Sequence, residues 1–127
     1  MPPQGKRRNR SFGDFGERVA ASHLESHGYK ILERNWASRV GEIDLIASKG
    51  DDLVFVEVRS RKGRDFGTPE ESITGRKREH ILGTIGFYLE QHPDSPPNHR
   101  VDLVVLELDR KGRVMRVEQI ENAVEGE

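Results

Sequence analysis

Cysteine is absent from this chain of 127 residues. Without thiols there is no disulfide framework, no Cys-based zinc site and no cysteine nucleophile. The absence fits a reducing compartment. Aromatic residues are scarce, at 6% with a single tryptophan. None forms an evident base-stacking platform, which disfavours sequence-specific recognition of single strands. Long apolar runs are missing too, and the longest, at 53–56 and 103–106, hold four residues each. That is too short for a membrane helix or for the apolar part of a signal peptide. A cytoplasmic protein with no membrane partner is therefore expected. Net charge is nearly absent as well, at −1.

The charge that is present is abundant and unevenly laid out. Charged residues make up 34% of the chain and hydrophobic ones 33%. Residues 1–10 carry Lys6, Arg7, Arg8 and Arg10 and no acid. Residues 59–64 carry Arg59, Arg61, Lys62 and Arg64, again with no acid. Residues 117–127 carry Glu118, Glu121, Glu125 and Glu127 and no base. Local charge decides what a surface attracts, so near-neutrality does not exclude nucleic acid.

The length suits one domain with a lean core. Residues 1–11 read as a disordered basic arm, 12–124 as the domain and 125–127 as an acidic tail. A first helix is predicted over 13–27, with Ser11 and Asp14 as a variant capping box and Gly28 as the stop. Its apolar stripe is Phe15, Val19, Ala20 and Leu24. Strands are predicted over 29–36, 40–47 and 53–59, the latter two joined by a Gly50-Asp51-Asp52 turn. After a loop, a helix is expected from about 75 to 91, opened by Thr68 or by Thr74, with Ile81, Leu82, Ile85, Tyr88 and Leu89 inward. Strands over 101–108 and 114–120 close the chain. The order α-β-β-β-α-β-β gives an α/β fold, a central mixed β-sheet flanked by helices.

Acids stand on the strands where apolar alternation does not need them. In Gly41-Glu42-Ile43-Asp44-Leu45-Ile46, alternation puts Glu42 and Asp44 on one face and Ile43 and Leu45 on the other. In the next strand Phe55, Glu57 and Arg59 share a face, opposite Val54, Val56 and Val58. A Glu between valines is costly to bury unless it is paired or binds a cation. Across a hairpin, Asp44 and Glu57 can approach each other, and oxygen ligands of this kind suit Mg²⁺ or Mn²⁺. A carboxylate-bound metal beside basic residues suggests phosphodiester chemistry. The competing reading is a structural ion pair with Arg39, Arg59 or Arg61.

The spacing from Asp44 to Glu57-Val58-Arg59 resembles the PD-(D/E)xK nuclease signature, with Arg59 in the place of its Lys. The wider pattern takes in Gly16-Glu17, Asn35-Trp36, residues 41–46, Phe55-Val56-Glu57-Val58-Arg59-x-Arg61, Phe66-Gly67-x-Pro69, Lys77 and Arg100-Val101-Asp102. Over residues 12–124 this resembles the YraN-like family of small bacterial proteins, itself similar to archaeal Holliday-junction resolvases. The resemblance implies a restriction-endonuclease-like fold and a metal-dependent DNA endonuclease or structure-selective DNA-processing protein. It implies Asp44, Glu57 and Glu17 as acidic metal-site positions, with the Val58 carbonyl as a further ligand. By the same likeness the partner is DNA, branched in structure, and the protein is a homodimer, because a symmetric junction presents two equivalent strands.

Arg59 leaves three readings open, since arginine stays protonated and cannot serve as a general base. Arg59 itself stabilises charge; or Lys77, Lys62 or Lys49 supplies an ammonium; or the chain binds DNA without cutting it. An adaptor that binds other proteins is a further alternative. Arg61, Lys62, Arg64, Arg76 and Lys77 are the candidate phosphate contacts. Other features have plainer readings. Gly13-x-x-Gly16 lacks the Lys-Ser/Thr of a phosphate loop and suggests close helix packing. His23 and His27 are spaced for zinc but lack a third ligand. Asp102 beside Arg100 reads as a structural acid.

Overall fold

The computed structural model describes residues 10–62, 71 and 73–124. Helix α1 spans Arg10–Ser26 and is followed by strands β1 (Lys30–Ser38), β2 (Gly41–Lys49) and β3 (Asp52–Lys62). Helix α2 (Gly75–Gln91), β4 (Asn98–Leu108) and β5 (Val114–Ile120) complete the order α-β-β-β-α-β-β expected from the sequence.

Helix α1 begins before residue 13, at Arg10, so Ser11 lies inside it and is not its cap. Gly13 costs a helix only about 1 kcal/mol, too little to keep α1 from beginning at Arg10. Arg10 and Ser11 thus belong to the helix and not to a free arm. The rest of that arm, the loop with Arg64 and the acidic 125–127 lie outside the described residues. Helix α1 ends at Ser26, and Gly28 behind it has a φ of +91°. There the Tyr29 amide donates to the Leu24 carbonyl at 3.0 Å and the Gly28 amide to that of Glu25 at 3.1 Å, a glycine stop that satisfies the last carbonyls. Of the two candidate caps for α2, Thr74 holds the position and accepts from the Lys77 amide at 3.2 Å.

The sheet has the order β1-β2-β3-β4-β5. All neighbours are antiparallel except β3 and β4. That parallel pair is the one joined through α2, since a parallel connection needs a crossover. One face carries Ala20, Ala21 and Leu24 of α1 against Leu45, Ala47, Val54, Val56, Val104 and Leu106. The other carries Ile81, Ile85 and Tyr88 of α2 against Ile43, Ile46, Leu53, Phe55 and Val101. Leu82 and Leu89 are only partly buried against this second cluster.

The alternation expected for β2 breaks at Asp44. Ile43 packs on the α2 side and Leu45 on the α1 side, so they do not share a face. In β1, opposite, Asn35 has φ +53° between Arg34, paired with Leu45, and Trp36, paired with Ile43. A left-handed residue rotates the strand, and asparagine is among the few that tolerate it. Both strands change face at this point. Alternation along β3 holds: Val54 and Val56 join the α1 side and Phe55 the α2 side.

Candidate functional site

The switch at Asp44 coincides with a parting of the strands. The β2–β3 ladder runs from Lys49–Asp52 to Leu45–Val56 and stops. Strand β2 continues on β1 as far as Gly41, and β3 continues on β4 as far as Lys62. The pair that would come next is Asp44 and Glu57. Beyond it β3 has no ladder partner on this side among the described residues, and the Asp44 carboxylate takes over one role of such a strand. Its Oδ2 accepts from the Val58 amide at 2.8 Å. The start of β2 leans instead on α2. A Cβ on Gly41 would stand 2.9 Å from the Thr84 hydroxyl and 3.3 Å from the His80 carbonyl oxygen, so only glycine fits without displacement.

Glu57 is 1% exposed at the apex of this opening. Lys77, from the first turn of α2, brings its Nζ to 3.5 Å from Glu57 Oε1. Arg59, two residues along the same strand face, brings Nη1 to 3.6 Å from the same oxygen. Oε2 is buried and has no hydrogen-bond partner among the described residues. Burial, then the charge of Asp44, push the Glu57 carboxyl up to about 8, against the pull of Lys77 and Arg59. A buried carboxylate with one oxygen unsatisfied, beside a second acid, is a donor set that a small hard cation would complete.

Glu17 is 6% exposed on α1 and its Oε1 accepts from Asn35 Nδ2 at 2.9 Å. Asn35 stands where β1 faces Asp44, so the same residue rotates the strand and holds the helix acid. The contact between α1 and β3 is close here: a Cβ on Gly16 would lie 3.4 Å from Ser60 Oγ. That agrees with helix packing as the role of Gly16. Among the described residues no three His, Asp or Glu side chains are grouped to hold a metal by themselves. A metal here would draw on Asp44, Glu57 and backbone, water or phosphate oxygens, the usual surroundings of Mg²⁺.

The other candidates divide. Of the three lysines considered, Lys77 reaches Glu57, whereas Lys49 lies over the Tyr29 ring at 5.0 Å and Lys62 is exposed at the end of β3. Arg61 is paired with Glu107 of β4 at 3.1 Å. Arg76 is exposed on α2. His27 Nδ1 lies 2.8 Å from the His23 carbonyl oxygen. Burial and then His27 hold the His23 imidazole below its ordinary value. Neither belongs to a metal-binding group among the described residues. Asp102 is fully buried and fully employed: Arg100 Nε donates at 2.8 Å, Gln119 Nε2 at 2.9 Å and the Asn122 amide at 3.0 Å. Asn35 was not singled out as a site residue from the sequence. The one signal was its place in the Asn35-Trp36 pair.

The sequence has close relatives. A protein of Pelotomaculum thermopropionicum is 46% identical over 111 residues, covering 87% of this chain and 92% of its own. One of Moorella thermoacetica is 44% identical over the same shares of each chain. One of Roseiflexus castenholzii is 43% identical over 120 residues, 93% of this chain and 96% of its own. Among solved structures, Pyrococcus furiosus SfsA in complex with Ca²⁺ overlays with a TM-score of 0.40 at 14% identity, over 95% of this chain and 74% of that one. So slight a likeness says nothing of activity. The three relatives are all UPF0102 proteins, the family profile itself matches residues 16–106, and the chain belongs to the uncharacterised protein family UPF0102.

Proposed function

We propose that this protein is a metal-dependent DNA endonuclease or structure-selective DNA-processing protein centred on Asp44 and Glu57. The observation that carries the reading is Glu57: buried, raised in pKa by burial and by Asp44, with one oxygen bound to cations and the other unsatisfied. Folding a strand around such a group is costly and offers the core nothing in return. Strongly perturbed carboxylates of this kind cluster at functional sites. Here it stands where the β2–β3 ladder stops.

In this reading Asp44 and Glu57 hold Mg²⁺ or Mn²⁺, with Val58 through its carbonyl and Glu17 as the further ligands the resemblance implies. When bound, the ion supplies Lewis-acid polarisation of a phosphodiester and activation of water. Arg59 contributes a permanent positive charge that can grip phosphate bidentately. Lys77 contributes a second positive charge, 3.5 Å from Glu57 Oε1. Negative charge developing on the phosphoryl group is stabilised by this pair. Lys62, Arg76 and Arg61 are the described residues of the proposed contact with a DNA backbone, and Arg64, expected there from the sequence, lies outside the described residues.

The test is cleavage of four-way and flapped DNA with Mg²⁺ or Mn²⁺ by wild type, Asp44→Ala and Glu57→Ala. Loss in both variants is expected. Undiminished cutting by either would remove these acids from the centre. Lys77→Met should lower the rate at least ~100-fold if it supplies transition-state charge.

A second reading has its own observation: both Arg59 and Lys77 already neutralise Oε1 of Glu57. An ion cluster closed in this way suits a module that binds DNA without cutting it. It would show salt-sensitive DNA affinity indifferent to metal, and no cleavage even after Arg59→Lys.

A further inference from the structure

Strand β5 ends the sheet, and among the described residues no strand lies on its other side. We infer that this edge is a homodimer interface, with β5 pairing antiparallel to its own copy about a two-fold axis through Val117. A bare edge offers a row of unused amides and carbonyls, a ready template for another strand. The opposite edge, β1, is unsuited to this. Its register shifts between Ile31 and Glu33, and Asn35 turns it at φ +53°. Irregularities of that kind bend an edge away from pairing. Strand β5 has one register shift of its own, at Met115, and pairs regularly with β4 from Arg116 to Ile120, the stretch centred on Val117.

The charges select one register. Val117 packs against the α1-side core, and Gln119 on that side donates to Asp102 at 2.9 Å. Arg116 and Glu118 therefore point to the other face. They are 60% and 38% exposed and meet only loosely, at 3.7 Å along their own strand. A two-fold axis through Val117 sets Arg116 against the partner's Glu118, and Glu118 against the partner's Arg116. An axis through Arg116 or Glu118 would oppose like charges. A shift by one residue would mix the two faces of the sheet.

The α1 face adds an independent argument. A groove of about 460 Å³ runs beside this edge, lined by the apolar Phe15, Val19 and Val117 and by the polar Arg18, Ser22, His23 and Ser26. The same axis brings two such grooves side by side, so that the apolar part of each, Phe15, Val19 and Val117, is covered by the other. The exposed Met115, at 69%, falls across from Gln119 in this register.

Sedimentation over a concentration series tests the interface through its charge symmetry. Arg116→Glu and Glu118→Arg should each raise the dimer dissociation constant about tenfold or more. The double exchange should restore it. A protein that stays monomeric throughout, or a dimer indifferent to all three variants, would overturn the inference. A second readout uses the lack of cysteine. Val117→Cys introduces the sole thiol, at a position where two strands across an axis come within disulfide reach. Its oxidation to a covalent dimer should outpace that of Met115→Cys, and equal rates would count against the proposed register.

Discussion

Burial and the neighbouring Asp44 hold the Glu57 carboxyl near 8, where an ordinary one sits at 4.5. The folded state thus binds this proton more tightly than the unfolded chain. Its contribution to stability is fully present below 4.5 and is lost as pH rises towards and through 8. In chelator, the melting temperature of wild type should fall across that window, and Glu57→Gln should flatten the slope. If the two profiles run parallel, the carboxyl is not perturbed as described. Adding Mn²⁺ at pH 8 should raise the melting temperature of wild type and leave Glu57→Gln unmoved, since a ligand stabilises the state that binds it. Asp102 represents the opposite kind of buried acid, because every donor around it is used. Asp102→Ala should cost about 3–5 kcal/mol by breaking the buried pair with Arg100 and removing the acceptor of Gln119 and of the Asn122 amide, measured by urea titration, and leave any DNA cleavage by the residual folded protein intact. The contrast between these acids was only half legible beforehand. Alternation along β3 exposed Glu57, and Arg100 two residues before Asp102 suggested its partner. Nothing in the spacing of Lys77 showed that it reaches Glu57, because that contact depends on where α2 crosses the sheet.

Elements were easier to foresee than the way they bend. The seven segments follow from runs of β-branched residues, helical stripes and the glycines at 28 and 50. The reversal of faces at Asn35 and Asp44 does not. It depends on Asn35 accepting a left-handed backbone while bonding Glu17 from another element. The same region makes Gly41 a sensitive position. Gly41→Ala would drive a methyl to 2.9 Å from the Thr84 hydroxyl, and should destabilise the fold by about 1–3 kcal/mol as overpacking does. Gly50→Ala serves as a comparison without a clash, since nothing lies within 4 Å of a Cβ there. Its own cost is that of its φ of +60°. At α2, Thr74→Ala removes the acceptor for the Lys77 amide and should cost about 1 kcal/mol. A loss of activity exceeding the loss of folded protein would mean that the cap also positions Lys77.

For the whole molecule the near-zero charge is misleading, since it sums regions that a ligand meets separately. DNA affinity should fall linearly with salt on logarithmic axes. Neutralising Lys62 or Arg76 should reduce the slope by about 1 each if each touches a phosphate. An unchanged slope would remove that residue from the contact surface. By itself the sequence determined the α/β order, the core-forming stripes and the two acids on adjacent strands, since periodicity and turn chemistry are local properties written in neighbouring residues. The tertiary structure decided where β2 and β3 separate, which lysine faces Glu57, that Asn35 links Glu17 to the turn in β1, and which strands form the two edges of the sheet. Those are meetings between residues distant along the chain, and they are fixed by packing rather than by local preference.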